Sequence, residues 1–215
     1  MSLRAALLLT VAVAAALRAQ STAEIFFSKS FPGSNPAYFE VQIDGAGKAV
    51  YREAPDDDQP LRFQLAAKDI TEIFGLAEKL RFFARPLESK LKVAQMGLKT
   101  LRYQNADQRG EAKFNYSEDP DARALVDWFE KISESEQHLI QLQRTARFDR
   151  LGVHKALLLF ESSLDRNRIV AAEQLLPILD KIAGQKIYLH MAQARAAALA
   201  ERIRVRDKAT AEAPG

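Results

Sequence analysis

Few residues in this chain stand at spacings that support catalysis. Ser89 and Lys92 fit an S-x-x-K pattern, in which a lysine of lowered pKa activates a serine nucleophile. The S-D-N and K-T-G segments that accompany this pattern in serine–lysine enzymes do not occur in the sequence. The segment around Ser89 is also highly charged, which indicates an exposed loop. We therefore predict that this serine is not catalytic.

The sequence also lacks the motifs of metal-binding and phosphate-binding sites. No H-x-x-x-H pair occurs among the three histidines, each of which falls in a predicted helix, at His138, His154 and His190. Asp56–Asp58 lacks the alternating oxygen ligands and the distal glutamate of a calcium loop. The PGSNP loop, residues 32–36, precedes a strand, and its prolines remove amide donors that a phosphate loop needs. The sequence thus predicts no catalytic residues, no metal and no cofactor.

One stretch is strongly asymmetric in charge. Residues 79–103 contain seven lysines and arginines against the single acid Glu88, with three aromatic residues among them. Such an excess attracts anionic partners, here an acidic protein or an anionic envelope polymer. A solvated face balanced by the acidic residues 53–58 would give the same pattern. The predicted binding residues are Arg81, Arg85, Lys90, Lys92, Lys99 and Arg102. A second basic stripe consists of Arg144, Arg147 and Arg150.

The first nineteen residues have the pattern of a secretory signal peptide. Arg4 precedes an unbroken apolar run over residues 5–17, and the small residue Ala19 precedes Gln20. The apolar run is shorter than the roughly 20 residues that a membrane-spanning helix needs. We expect export, cleavage before Gln20, and a periplasmic or secreted protein without a transmembrane segment.

Charge and cysteine content limit the function further. The formal net charge is +3, and it falls to +1 without Arg4 and Arg18 of the leader, so global charge does not support nucleic-acid binding. The absence of cysteine excludes disulfides, thiol catalysis and cysteine-ligated metals. Stability must therefore come from burial of apolar residues in the core.

The first half of the chain has the alternation of strands. In residues 37–44, alternate residues from Ala37 to Ile43 are apolar. Further strands are predicted near residues 24–31, 48–53, 61–65, 97–104 and 109–116. The D-G-A-G sequence at residues 44–47 predicts a tight turn between two of these strands. One helix, near residues 67–80, interrupts them.

From Asp119-Pro120 onward the periodicity is helical, because aspartate is a frequent N-cap and proline is favoured at the first helical position. Residues 138–150 either continue this helix or begin a new one. Gly152 and Gly184 then separate further helices, the last over residues 187–206. The predicted fold is α+β, with an antiparallel sheet domain at residues 24–136, a helical region of antiparallel hairpins at 137–206, and a disordered tail at 207–215.

Residues 31–53 combine a loop, a D-G turn and a closing tyrosine between short strands. The residues of this pattern are Gly33, Pro36, Tyr38, Asp44, Gly45 and Tyr51. Over residues 24–116 the chain resembles a family of exported bacterial domains of unknown function that has a G-x-C-P-x-Y loop. Asn35 stands where that family has cysteine, so any disulfide or redox role of the cysteine cannot apply here. The resemblance implies no known activity.

These features favour an exported envelope protein with a non-enzymatic binding or scaffolding role. The alternative is an envelope hydrolase whose acid and base residues lie far apart in the sequence. An enzyme would show titratable side chains converging in a pocket, whereas a binding module would show an exposed apolar or basic surface.

Overall fold

The computed structural model describes residues 23–212, with side chains to residue 206. The predicted signal peptide lies outside the described residues. The chain divides into two compact units, the first ending at Phe129 and the second beginning at Glu130. The predicted domain boundary, after residue 136, falls a little later in the same helix. The fold is α+β, as the sequence predicted, with a six-stranded antiparallel sheet and five α-helices among the described residues.

Unit 1 is built on the antiparallel sheet. Its strands are arranged in the order β4-β3-β2-β1-β5-β6. The bounds of the strands are β1 Glu24–Ser30, β2 Tyr38–Asp44, β3 Lys48–Arg52, β4 Leu61–Gln64, β5 Leu98–Gln104 and β6 Arg109–Phe114. Asp44 Oδ1 accepts hydrogen bonds from the backbone N–H groups of Ala46 and Lys48 in the predicted turn. These two hydrogen bonds within the loop stabilise the turn that joins β2 to β3.

One face of the sheet carries the core of unit 1. Ile25 and Phe27 of β1 are fully buried, and helix α1, Ala67–Lys79, packs its apolar stripe within the same core. The beginning of helix α2, Pro120–Phe148, adds Phe129, whose ring stacks on Phe27 with centroids 4.5 Å apart. The N–H groups of Asp121 and Ala122 donate to Asp119 Oδ1, which confirms the predicted N-cap.

A left-handed 3₁₀ turn at Arg81–Phe83 follows α1. Its three residues have φ values of 53°, 50° and 65°, which costs roughly 1 kcal/mol or more for each residue with a side chain. Phe82 stacks on Tyr103 of β5 at 4.2 Å, and Phe83 is fully buried. The carbonyl of Phe82 comes so close to Gly110 of edge strand β6 that a Cβ there would meet it at 2.0 Å. Only glycine allows this turn to pack against the edge strand.

Unit 2 is helical. It contains the rest of α2, then α3 Val153–Asp165, a 3₁₀ turn at Ala172–Leu175, α4 Leu176–Gly184 and α5 His190–Glu212. Of the two alternatives for residues 138–150, the structure has the continuous helix. Pro177 occupies the first turn of α4, where its missing N–H costs nothing. Helix α5 continues to Glu212, beyond the predicted end at Arg206, and residues 213–215 lie outside the described part.

Candidate binding surface

Residues 84–97 connect the left-handed turn to β5 without regular secondary structure. Their exposed apolar side chains include Leu91 at 56% and Met96 at 48% exposure. Among the described residues of unit 1, every exposed large hydrophobic side chain lies in this segment or at Leu98, the first residue of β5. Two exposed lysines alternate with them. We call this set the loop surface, which consists of Lys90, Leu91, Lys92, Val93, Met96 and Leu98.

The loop is held in place by hydrogen bonds to the end of β6. The Ser89 N–H donates to the carbonyl of Tyr116 at 2.8 Å. The Met96 N–H donates to Asn115 Oδ1 at 2.6 Å, and Asn115 Nδ2 donates to the carbonyl of Ala94 at 3.0 Å. The backbone of the loop is thus fixed, although its apolar side chains face solvent.

Lys99 also holds the same loop, from the core side of the sheet. Its side chain is buried on the core face of β5, and Nζ donates to the carbonyl oxygens of Met96, Gly97 and Asn115 at 3.3, 3.1 and 2.7 Å. Gly97 itself has a φ of +93°, and a Cβ there would lie 2.9 Å from the Cβ of Phe31. The chain can therefore enter β5 at this point only with glycine.

The structure separates the six predicted binding residues. Lys90 and Lys92 belong to the loop surface. Arg102 lies on the open face of β5, the same face as Leu98, with its guanidinium 3.9 Å from the centroid of the Phe26 ring. Lys99, three residues before Arg102, points to the opposite face and is buried. The six residues therefore do not share one surface.

The remaining two predicted residues have local roles. Arg81 is exposed in the left-handed turn. Arg85 forms a hydrogen-bonded ion pair with Asp119, the N-cap of α2. The Arg85 hydrogen bond, supported by the N–H groups of Ala122 and Asp121, lowers the pKa of the Asp119 carboxyl against the opposing effect of burial. Arg85 thus supports a helix cap.

The open face of the sheet is polar and mixed in charge. A shallow depression of about 510 Å³ lies on it, between Glu24 of β1, Arg102 of β5 and Arg109 of β6. Arg102 pairs with Glu111 at 3.7 Å. Farther along the face, the Tyr38 hydroxyl donates a hydrogen bond to Glu40. Burial is the larger cause and this hydrogen bond the smaller one of the rise in the pKa of Tyr38 to about 12.

The serines of the S-x-x-K and PGSNP segments form structural hydrogen bonds. Ser89 Oγ donates to Glu118 at 2.8 Å and also accepts the Leu91 N–H, so it caps a turn of the loop. In the PGSNP loop, Ser34 Oγ bonds inward to the carbonyls of Phe31 and Pro36, both at 2.7 Å. In the described part of the chain, no group of three or more histidine, aspartate or glutamate side chains is placed to hold a metal ion.

Unit 2 contains a serine, a histidine and a carboxylate in hydrogen-bonding contact, which sequence reasoning did not find. Ser163 Oγ donates to Glu134 Oε1 at 2.6 Å, and His138 Nε2 lies 3.0 Å from Ser163 Oγ. Because the serine proton is directed to the glutamate, the histidine donates to the serine and cannot accept its proton. Ser163 is also buried. The arrangement joins α2 to α3 and lacks the proton relay that a serine nucleophile needs.

Charge and burial set the ionisation of this cluster. Burial lowers the pKa of His138. Burial alone would raise the pKa of Glu134, but hydrogen bonds from Ser163 and Arg168 bring it below its ordinary value. The i, i+4 spacing of Glu134 and His138 was visible in the sequence, whereas their partners come from positions 25 to 34 residues away.

Glu136 is the most unusual carboxyl in unit 2. It is fully buried, Gln174 Nε2 donates to its Oε1 at 2.6 Å, and its Oε2 has no hydrogen-bond partner among the described residues. Burial raises the pKa of Glu136 to about 7, against a smaller lowering by Gln174. The group is therefore protonated in the folded protein under mildly acidic conditions.

No known family model matches this chain, and no curated protein is significantly similar to it. The resemblance of residues 24–116 to an exported domain family consequently stays a prediction. No helix in the described part of the chain is both long and apolar enough to cross a membrane.

Replacement of Lys99 by methionine should destabilise unit 1, because the three carbonyls it bonds lose their donor. We expect the free energy of unfolding to fall by about 1–3 kcal/mol, with faster tryptic cleavage after Lys90, a site that both variants retain. Chemical denaturation and limited proteolysis measure these effects. The matched variant, Lys92→Met, removes an exposed lysine and should change stability by no more than about 0.5 kcal/mol. Equal effects of the two variants would contradict the proposed role of Lys99.

Replacement of Glu136 by glutamine should remove a pH dependence of stability. In the unfolded chain the carboxyl ionises near pH 4.5, but in the folded protein it ionises near pH 7. Its contribution to stability is therefore complete below pH 4.5 and is lost as the pH rises to 7. Relative to Glu136→Gln, the native protein should lose about 3 kcal/mol over that interval.

Denaturant unfolding at a series of pH values measures this difference. The control is Glu173→Gln, which changes an exposed carboxyl on the neighbouring 3₁₀ turn and should leave the pH profile of the native protein unaltered. Parallel pH profiles for Glu136→Gln and the native protein would contradict the raised pKa.

Proposed function

We propose that this chain is an exported envelope protein with a non-enzymatic binding role, and that the loop surface is where its partner docks. One observation carries the proposal: among the described residues, the exposed large apolar side chains of unit 1 are confined to a single hydrogen-bonded loop, which also presents two lysines, and to the first residue of the strand that follows it. Exposed apolar side chains grouped on an ordered segment mark interaction sites more often than scattered ones do.

The order of the loop favours tight binding. Asn115 and Lys99 already hold its backbone in one conformation, so little conformational entropy is lost when a partner binds. Leu91 and Met96 would supply the apolar centre of the interface. Lys90 and Lys92 would select a partner whose contact surface carries acidic residues at its rim.

The sheet face next to the loop favours a protein over an anionic polymer. Leu98 is continuous with the open face of β5, where Arg102 already pairs with Glu111. Glu24 adds negative charge to the same face, and Glu40 pairs there with Arg52 at 3.0 Å. A uniformly anionic chain would meet these carboxylates, whereas a protein surface of mixed charge can complement both signs.

In-cell photocross-linking tests this proposal. The full-length chain, with an affinity tag after Gly215, carries a photoreactive amino acid in place of Val93 in the loop surface. The matched control places it at Lys68, an exposed position on α1. We expect a discrete protein adduct at position 93 and none at position 68. Lys90→Glu combined with Lys92→Glu should weaken the adduct, because the charges that attract an acidic rim are reversed.

The same purified sample tests export separately. A mass that begins at Gln20 would support cleavage of the leader, and an intact Met1 in the envelope fraction would contradict it. Absence of an adduct at position 93, or an adduct that the charge reversal leaves unchanged, would contradict the binding role whatever the N-terminus is.

A further inference from the structure

Two helix connections of unit 2 lie side by side. The connection between α2 and α3 spans residues 149–152, and that between α4 and α5 spans residues 185–189. Tyr188 is buried, and its hydroxyl donates to the carbonyl of Ala146, in the last turn of α2, at 3.1 Å. This hydrogen bond places both connections at the same end of the helical unit.

Large apolar side chains are exposed on both connections and on the helix ends next to them. Phe148 is 73% and Leu151 is 74% exposed, the highest values for large hydrophobic side chains in the described residues. Hydrogen bonds of polar groups, rather than these apolar side chains, hold the two connections in place. The Gly152 N–H donates to Asp149 Oδ1, and Gln193 Nε2 donates to the carbonyls of Gln185 and Tyr188. The exposed apolar set is Phe148, Leu151, Ile187, Leu189 and Met191.

The same end carries an excess of positive charge. Five exposed cations lie on or beside the two connections, and none of them forms an ion pair with a described residue, while the Arg147 guanidinium lies 5.0 Å from the centroid of the Phe148 ring. They are Arg144, Arg147, Arg150, Lys155 and Lys186. Asp149 is the only acid between residues 137 and 160, and none occurs between residues 181 and 200. We call these five cations and the five apolar side chains the basic corner.

Unpaired cations and exposed apolar side chains together suit an anionic lipid surface. A bilayer buries apolar side chains at the boundary between headgroups and acyl chains, while lysine and arginine attract its anionic headgroups. It also adapts its shape, so two separate connections can insert without a complementary groove. A protein partner would instead need a surface complementary in shape to both connections. From these observations we propose that the basic corner docks unit 2 on a membrane surface rich in anionic phospholipid.

Vesicle flotation tests this proposal. The protein begins at Gln20, because the apolar residues 5–17 would bind lipid themselves, and it retains every described residue. It is mixed with vesicles of phosphatidylcholine containing phosphatidylglycerol, or with vesicles of phosphatidylcholine alone. The protein should float with the anionic vesicles, at least about tenfold more than with the neutral ones, and less in high salt, because salt screens the headgroup charge.

Two independent variants identify the surface that binds. Phe148→Ser with Leu151→Ser removes apolar contact, and Arg147→Glu with Lys186→Glu reverses charge. Each should lower binding to anionic vesicles about tenfold or more. The controls are Val205→Ser on α5 and Arg166→Glu just after α3. Both residues are exposed and lie away from the corner, near the C-terminal end of α3, where Val205 lies beside Leu164 and Asp165. Both controls should bind as the native protein does.

The remaining outcomes overturn the proposal. Failure to float with anionic vesicles at low salt would do so, as would equal losses in the corner variants and the controls. Circular dichroism of each variant establishes that it is folded before binding is compared. If the native protein ignores both kinds of vesicle but binds an acidic protein through the same residues, the corner is a protein-binding surface and the lipid proposal is wrong.

Discussion

A buried ammonium group must find acceptors or a counter-charge, and in unit 1 Lys99 takes three backbone carbonyls that meet at the start of β5. Two of these carbonyls belong to the loop that precedes the strand, and the third belongs to Asn115 at the end of β6. One side chain thus joins the loop to two neighbouring strands. Asn115 completes the attachment through its own side chain, and the loop surface exists because this attachment fixes the backbone.

Both units present apolar side chains on connections whose polar groups are satisfied from within. Lys99 and Asn115 do this for the loop surface, and Asp149 and Gln193 do it for the basic corner. The surroundings differ in charge. The loop surface continues onto a sheet face with paired charges of both signs, which suits a protein. The basic corner has one acid and five cations that form no ion pair with a described residue, which suits an anionic lipid surface.

The sequence predicted the fold better than the surface. Alternation and helical periodicity depend on neighbouring residues, so the strands and the Asp119 cap could be predicted. The direction of a side chain depends on strand register, and a count of charges over residues 79–103 cannot separate Lys99, which is buried, from Arg102, which lies on the opposite face. The Ser163–Glu134 contact joins residues 29 apart in the sequence, and no local pattern indicates it. The exposed Leu91 lies in a segment without periodicity, so only the structure shows that its backbone is fixed.

Amide hydrogen exchange of the free protein, resolved residue by residue, tests most directly whether the loop surface is preformed. The N–H groups of Ser89 and Met96 donate to Tyr116 and Asn115, so they should exchange far more slowly than the same sequence does in an unstructured peptide. The exposed Lys92 N–H serves as an internal reference for rapid exchange. Exchange of Ser89 and Met96 at the rate of an unstructured peptide would contradict a preformed surface, and with it the main reason for placing the partner there.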